Sequence, residues 1–246
     1  MKISLFQRVF SSVVLTLCAI NAQAGISIDR TRIIVDAAEG SASAELVNNN
    51  KELPFLAQSW MENSDHQKIT SPLIVIPPIQ RIDPAEKETV QINALPAAKQ
   101  LPQDRESMFY LNVREIPPKP KHANTLQLTL QSRIKVFYRP ESLKAHMHTK
   151  PWQERLQFTR LSENQWQVSN PTPYYVVLIG LSKDKTIDNK KMLTNFSGLN
   201  LAPFGKAEFR TNQSINDGFN MFYVNDYGGH PMVKFTCQGQ QCAAEN

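Results

Sequence analysis

Short apolar runs separated by turn-forming residues recur along most of the chain, and this pattern restricts the possible folds more than any other feature. The runs are the length of typical β-strands and too short for most helices. Asparagine and proline clusters separate them, and the chain has 16 Pro but only 9 Gly. Such separators favour turns between strands, whereas few glycines argue against Gly-rich phosphate loops. In the first half the runs span 42–47, 55–61, 73–76, 89–92 and 108–116.

The same pattern restarts in the second half, which indicates a second domain. About seven strands before residue 140 match an immunoglobulin-like sandwich in number and spacing. Arg139-Pro140 marks the join, because proline ends a run and residues 141–151 are polar. We therefore expect an all-β protein of two immunoglobulin-like β-sandwich domains, at 25–143 and 144–246. The second set of runs spans 156–161, 166–169, 174–181, 207–210, 221–224 and 233–237.

Residues 1–24 have the organisation of a secretory signal peptide. Two basic residues precede an apolar stretch at 9–20 that is too short for a stable membrane span. A small-x-small pattern then ends at Ala24, where we expect signal peptidase to cleave. A lipoprotein is disfavoured because Leu17 precedes Cys18, where a small residue is expected. An ordinary N-terminal helix or membrane anchor is the remaining alternative.

Export changes the charge and limits the classes of partner. Cleavage leaves 222 residues and lowers the formal charge from +5 to +3, because both lost charges are basic. An exported protein does not meet chromosomal DNA, so the mild basicity indicates acidic protein or envelope partners, or none, rather than nucleic acid. The best remaining membrane candidate, 174–181, is only eight residues long and is interpreted as a buried strand.

Cleavage also leaves two cysteines, Cys237 and Cys242, an even number that suits an oxidising compartment. Four residues separate them, so they fit neither the C-x-x-C redox pattern nor a zinc pattern, which needs a second pair. We expect a structural disulfide that closes a hairpin near the C-terminus and stabilises the fold by about 2 kcal/mol.

No catalytic or cofactor-binding pattern is present in the sequence. It contains no G-x-S-x-G elbow, no H-E-x-x-H and no phosphate-binding loop. His146 and His148 share strand parity and could hold a metal, but a solvated linker is the preferred interpretation. The N-x-S tripeptides at Asn195 and Asn212 are common by chance. We expect a non-enzymatic protein without cofactor or metal.

The alternating run at 125–138 differs from the others in length. Leu126, Leu128 and Leu130 alternate with polar residues, which predicts one 14-residue strand, more than twice the usual length. Such a strand can bury its leucines in its own domain or project them beyond it. The period alone favours burial in the strand's own core.

Seven motifs follow one another in order through the exported chain. They are D-R-T-R at 29–32, L-P-Q-D-R-E-S at 101–107, F-Y at 109–110, R-E-I-P-P at 114–118, I-K-V-F-Y-R-P at 134–140, N-P-T-P-Y-Y at 170–175 and N-D-Y-G-G at 225–229. In this order and spacing they resemble the periplasmic pilus (fimbrial) chaperones. The resemblance implies a boomerang of two immunoglobulin-like domains in the periplasm, with no enzymatic activity and no cofactor.

The resemblance also implies a function and the residues that carry it. In that family an arginine and a lysine in the inter-domain cleft bind the C-terminal carboxylate of a pilus subunit, and these positions correspond to Arg32 and Lys135. The strand with Leu126, Leu128 and Leu130 would fill the hydrophobic groove of a subunit that lacks its last strand, a process called donor-strand complementation. The implied partners are pilin and adhesin subunits, an outer-membrane usher that receives them, and a second copy that caps the free protein.

Two further features of the resemblance concern the geometry of the molecule. Glu106, Arg139 and Asp226 match a charged trio that links the two domains and could hold the angle between them. The short connection at 115–124 resembles the subclass that assembles rod-like pili.

An exported structural or adhesive immunoglobulin-like protein, itself part of a surface fibre, is the alternative function. It would donate or accept a strand in a polymer, yet the first predicted strand begins at Ile26, almost at the expected cleavage site. A secreted hydrolase or lectin has only scattered polar residues in its favour.

Overall fold

The computed structural model of the protein describes residues 25–120, 125–146, 151–194, 196 and 198–245. The predicted signal peptide with its cleavage site, His148 and Asn195 lie outside these residues. The described chain is all-β apart from three short 3-10 helices, and none of its helices is long and apolar enough to cross a bilayer. The 3-10 helices span Pro96–Gln100, Glu141–His146 and Trp152–Arg155.

Ten described strands form the first of two β-sandwich domains, as expected from the sequence. They pack as two sheets, with orders β1-β3-β8-β6 and β2-β10-β9-β4-β5, and β7 pairs with β4. Apolar side chains from both sheets, including Ile33, Leu46 and Val136, are almost completely buried between them. The strands are β1 (Ile26–Ile28), β2 (Arg32–Asp36), β3 (Ser41–Asn48), β4 (Phe55–Glu62), β5 (Lys68–Ile69), β6 (Leu73–Ile76), β7 (Ile79–Ile82), β8 (Lys87–Ala94), β9 (Ser107–Ile116) and β10 (Gln131–Arg139).

The chain changes sheets between β1 and β2. Asp29 marks the change: its backbone N–H donates to the Glu45 carbonyl, and its side chain accepts from the Glu45 N–H at 3.0 Å. After this crossover β2 runs parallel to β10, with Arg32 in register with Lys135. The D-R-T-R motif at 29–32 therefore ends beside the last strand of the domain.

Eight described strands form the second domain. Their hydrogen-bonded path is β14-β13-β16-β17-β18-β11-β12-β15. Phe158 lies at the centre of the core, with its ring edge-on to Phe219 and Phe235 at centroid distances of 5.0 and 4.9 Å. The strands are β11 (Gln157–Arg160), β12 (Gln165–Ser169), β13 (Val176–Ser182), β14 (Leu199–Leu201), β15 (Lys206–Arg210), β16 (Gly218–Val224), β17 (Met232–Gln238) and β18 (Gln241–Ala244).

The predicted disulfide is confirmed. Cys237 and Cys242 are directly opposite each other on β17 and β18, and their sulfurs are bonded at 2.03 Å. The bond therefore closes the hairpin that ends the described chain.

Most predicted strands are present, but several short ones were missed. The missed strands include β7, β14 and β18 (Gln241–Ala244), which are only three or four residues long. Runs of this length lack enough alternation to stand out from turns.

The prediction of one strand over 125–138, with leucines in its own core, is wrong. β10 begins at Gln131, opposite Arg114 of β9. Residues 125–130 lie outside any strand, and Leu126 is 83% exposed. In the register of β9 and β10, Leu128 and Gln127 would lie opposite Pro117 and Pro118, which have no N–H to donate, so the ladder could not continue past Thr129.

Candidate functional site

Arg32 opens β2 and points away from the core of the first domain. Its neighbours Ile33 and Val35 alternate with it and are buried in that core. Although Arg32 lies on the opposite face, it is only 8% exposed, because the second domain covers it. Its Nη1 donates to the Val224 carbonyl at 3.0 Å, and its guanidinium carbon lies 5.7 Å from the centre of the Phe137 ring.

Lys135 lies beside Arg32, because β10 and β2 are in parallel register at this pair. Burial, and secondarily the positive charge of Arg32, lower the pKa of Lys135. Within the described residues no carboxylate lies within ion-pair distance of its ammonium group. Burial also lowers the pKa of Arg32, opposed by the charges of Asp226 and Glu106.

The guanidinium of Arg32 retains an unused donor. Its Nε is buried and has no hydrogen-bond partner among the described residues. An unpaired buried donor costs about 1–3 kcal/mol, and two adjacent desolvated cations repel each other. An anion bound at this pair would satisfy the donor and offset the repulsion, which makes the pair a candidate anion-binding site.

Arg139, at the end of β10, links the two domains through two carboxylates. Its Nε and Nη2 each lie 2.7 Å from Glu106 Oε1, and its Nη1 lies 2.8 Å from Asp226 Oδ2. Glu106 also accepts a hydrogen bond from the Tyr175 N–H of the second domain at 2.8 Å. Burial opposes the charged form of Arg139, but the charges and hydrogen bonds of Glu106 and Asp226 outweigh it and raise its pKa.

Arg32 and Arg139 both contact the end of the same strand of the second domain. Val224, whose carbonyl accepts from Arg32, is the last residue of β16, and Asp226 follows two residues later. The C-terminal end of β16 therefore binds two arginines of the first domain, Arg32 through Val224 and Arg139 through Asp226. As a result, the orientation of the domains and the position of Arg32 are coupled.

The leucine row (Leu126, Leu128 and Leu130) is exposed to solvent. The exposed fractions of the three residues are 83%, 75% and 52%. Leu130, the least exposed of the three, is held by β9: its N–H donates to Glu115 Oε1, and its carbonyl accepts from the Glu115 N–H, both at 3.1 Å.

The leucine row also has a defined parity relative to β10. Leu130 has the same parity as the core residues Ile134 and Val136, whereas Lys135 faces the opposite side. The leucine row therefore continues the core-facing side of β10 past the point where its own domain ends.

The structure brings together several residues that the sequence placed far apart. Arg32 is adjacent to Lys135, and Arg139 contacts both Glu106 and Asp226. The contribution of the Val224 carbonyl had no signal in the sequence, because any residue type can supply a backbone acceptor. Among the described residues, no cluster of three or more His, Cys, Asp or Glu side chains could hold a metal ion.

Two family models match most of the chain. Residues 25–144 match the PapD N-terminal domain of the pili and flagellar-assembly chaperones, and residues 151–235 match the C-terminal domain of the pili assembly chaperone PapD. The chain belongs to the pilus-assembly chaperone family. Members of this family are periplasmic and non-enzymatic, which confirms the expected absence of enzymatic activity.

Individual relatives agree over nearly the full length. The chaperone protein PmfD of Proteus mirabilis (strain HI4320) is 48% identical over 240 residues, which cover 97% of this chain and 94% of PmfD. The chaperone protein PapD of Escherichia coli is 41% identical over 226 residues, or 91% of each chain. The crystal structure of the YadV chaperone matches with a TM-score of 0.67 and 31% identity, covering 87% of this chain and all of YadV.

Proposed function

We propose that this chaperone binds incompletely folded pilus subunits in the periplasm, completes their fold with a strand of its own and delivers them to an outer-membrane usher. The observation that carries the proposal is the adjacent, partly buried cations Arg32 and Lys135 on β2 and β10, together with the exposed leucine row on the extension of β10. β10 and its extension thus carry both Lys135 and the leucine row, and β2 places Arg32 beside Lys135.

Arg32 and Lys135 would bind the C-terminal carboxylate of the subunit. A guanidinium suits the planar carboxylate because it can donate two parallel hydrogen bonds, and the lysine adds a compact point charge. Nε of Arg32 is unpartnered among the described residues, and Lys135 has no described counter-ion. Because both cations are partly desolvated, the loss of either should cost about 2–5 kcal/mol of binding energy.

The leucine row would fill the hydrophobic groove of a subunit whose sandwich lacks its last strand. Main-chain hydrogen bonds along 126–130 would pair with the groove edges, and the alternate leucines would occupy its pockets. Burial of three leucines provides roughly 5–9 kcal/mol before ordering costs. Leu130 lies five residues from Lys135, or about 17 Å along an extended strand, so the carboxylate anchor would determine which leucine meets which pocket.

Co-expression with a pilus subunit tests this proposal. The wild-type chaperone should yield a one-to-one complex from the periplasm, and the double variant Arg32→Ala with Lys135→Ala should not. Arg30→Ala is the matched control, because Arg30 is two residues away but exposed and paired with Asp29 at 3.1 Å. An intact complex with the double variant would show that the carboxylate assignment is wrong.

Delivery to the usher and the division into domains are further parts of the proposal. A strain without this chaperone should lose surface pili and recover them on complementation only if the usher accepts its subunit complexes.

The proposed domain boundary lies after residue 143, and separate expression of 25–143 and 144–246 tests whether each part folds.

A further inference from the structure

Tyr227 is an aromatic side chain that the protein leaves almost completely in solvent. It is 96% exposed, the largest fraction among the large apolar side chains in the described ranges. It lies in the turn at 225–229, between β16 and β17 of the second domain. A tyrosine in this position buries almost nothing in its own chain and contributes little to the core of its domain.

The turn that carries Tyr227 is held rigidly. The Asn225 side-chain carbonyl accepts from the N–H groups of Tyr227 at 3.1 Å and Gly229 at 2.8 Å. The Asn225 backbone adds two more hydrogen bonds, from its N–H to the Gly229 carbonyl and from the Gly228 N–H to its own carbonyl, both at 3.0 Å. Gly228 has a φ of +81°, a conformation that favours glycine. The exposure of Tyr227 therefore comes from a defined conformation.

The same turn lies against the candidate anion site. Val224, which precedes the turn, accepts from Arg32, and Asp226 pairs with Arg139. Gly228 is so close to the first domain that an added Cβ would lie 2.7 Å from Thr31 Oγ1, on the residue before Arg32. Tyr227 therefore stands at the rim of the junction where Arg32 is held.

We propose that Tyr227 is a contact for the body of the bound pilus subunit, next to the end whose carboxylate Arg32 and Lys135 hold. The inference rests on the proposed function. Tyr227 is three positions after Val224 in the chain, a reach of at most about 10 Å. A folded subunit of about 100 residues has a radius of gyration near 13 Å, so a subunit anchored at Arg32 extends over this distance.

Tyrosine suits such a contact chemically. It supplies a large, amphipathic surface with few rotatable bonds, and it is enriched where partners bind. Because the turn is already ordered, binding incurs little additional loss of backbone entropy. The partner expected is a polypeptide surface with an apolar patch beside its C-terminal strand.

A photoreactive residue tests the contact directly. The probe is the pilus subunit that co-purifies with the wild-type chaperone, identified by mass spectrometry and then co-expressed with it. p-Benzoylphenylalanine in place of Tyr227 should crosslink to this subunit, at residues near its C-terminus. Crosslinks confined to the usher or to a second copy of the chaperone would overturn the inference.

Dissociation kinetics provide the second measurement. Tyr227→Ala should release the subunit about tenfold faster than wild type, and Tyr227→Phe should retain the wild-type rate because the ring remains. Leu161→Ala is the control, since Leu161 is 46% exposed at the turn between β11 and β12 of the same domain. A Tyr227→Ala rate equal to that of the control would contradict the contact. If Tyr227→Ala behaves like the control but the double variant Arg32→Ala with Lys135→Ala loses the complex, the proposed function is retained and only the contact at Tyr227 is rejected.

Discussion

Lys135 places stability and the proposed binding role in conflict. Its ammonium is half-buried beside Arg32 without a described counter-ion. We therefore predict that Lys135→Met raises the free energy of unfolding of the unliganded protein by up to about 1 kcal/mol, or about 2–4 °C in Tm, and weakens subunit binding by about 2–5 kcal/mol. Thermal unfolding measures the first effect, and Lys119→Met, at an exposed lysine, is the control. A lower Tm for Lys135→Met would contradict this account.

The same residue determines a dependence of stability on pH. The pKa of Lys135 is lowered in the folded protein, so between that value and the ordinary 10.5 the unfolded chain binds more protons. The free energy of unfolding therefore rises with pH in this window, because the buried ammonium of Lys135 loses its charge. Wild-type Tm should increase relative to that of Lys135→Met as pH approaches 10.5, and parallel profiles would show that Lys135 contributes nothing.

Arg139 should contribute more to the free energy of unfolding than its more exposed partner Asp226. Its side chain is 3% exposed and that of Glu106 is 2% exposed, so Arg139→Met would leave a buried carboxylate without a counter-ion. We predict a loss of about 3–5 kcal/mol in denaturant unfolding. Asp226 is more exposed, at 19%, and Asp226→Asn should cost less. Equal losses for the two variants would indicate that Glu106 finds another partner.

At the scale of the element, the alternating apolar residues of β10 pack in the core of the first domain, whereas those of its extension are exposed to solvent. Ile134 is buried in the core of the first domain, whereas Leu128 has the same parity but is 75% exposed. We predict that Leu128→Ser leaves the Tm of the free protein unchanged and prevents subunit capture. Ile134→Ala should instead lower the free energy of unfolding by about 2–5 kcal/mol. Thr129→Ser, at an exposed position on the polar side of the same segment, is the control for capture, and a loss of capture in that variant would show that side-chain parity is unimportant.

At the scale of the whole molecule, the exposed leucine row resembles an uncovered strand edge, which promotes pairing with another chain. We predict that the free chaperone forms a dimer in which the leucine rows of two copies cover each other, and that Leu126→Ser with Leu128→Ser makes it monomeric. Sedimentation at several concentrations measures this. A dimer that persists in the double variant would place the interface elsewhere.

The amino-acid sequence by itself determined the all-β class, the two domains and the Cys237–Cys242 disulfide, because alternation, turn chemistry and cysteine spacing are local properties. Its motifs also identified Arg32, Lys135 and the charged trio through the family resemblance. Their assigned roles stay predictions.

Only the tertiary structure decided where the alternating run stops being a strand. The answer depends on the partner strand and not on the run itself, because the register places Leu128 and Gln127 opposite Pro117 and Pro118. Tertiary contact likewise decided the environment of Arg32, since its acceptor at Val224 is 192 residues away in sequence. Strand pairing and burial depend on residues distant in the chain, and for that reason local patterns could suggest these features but could not establish them.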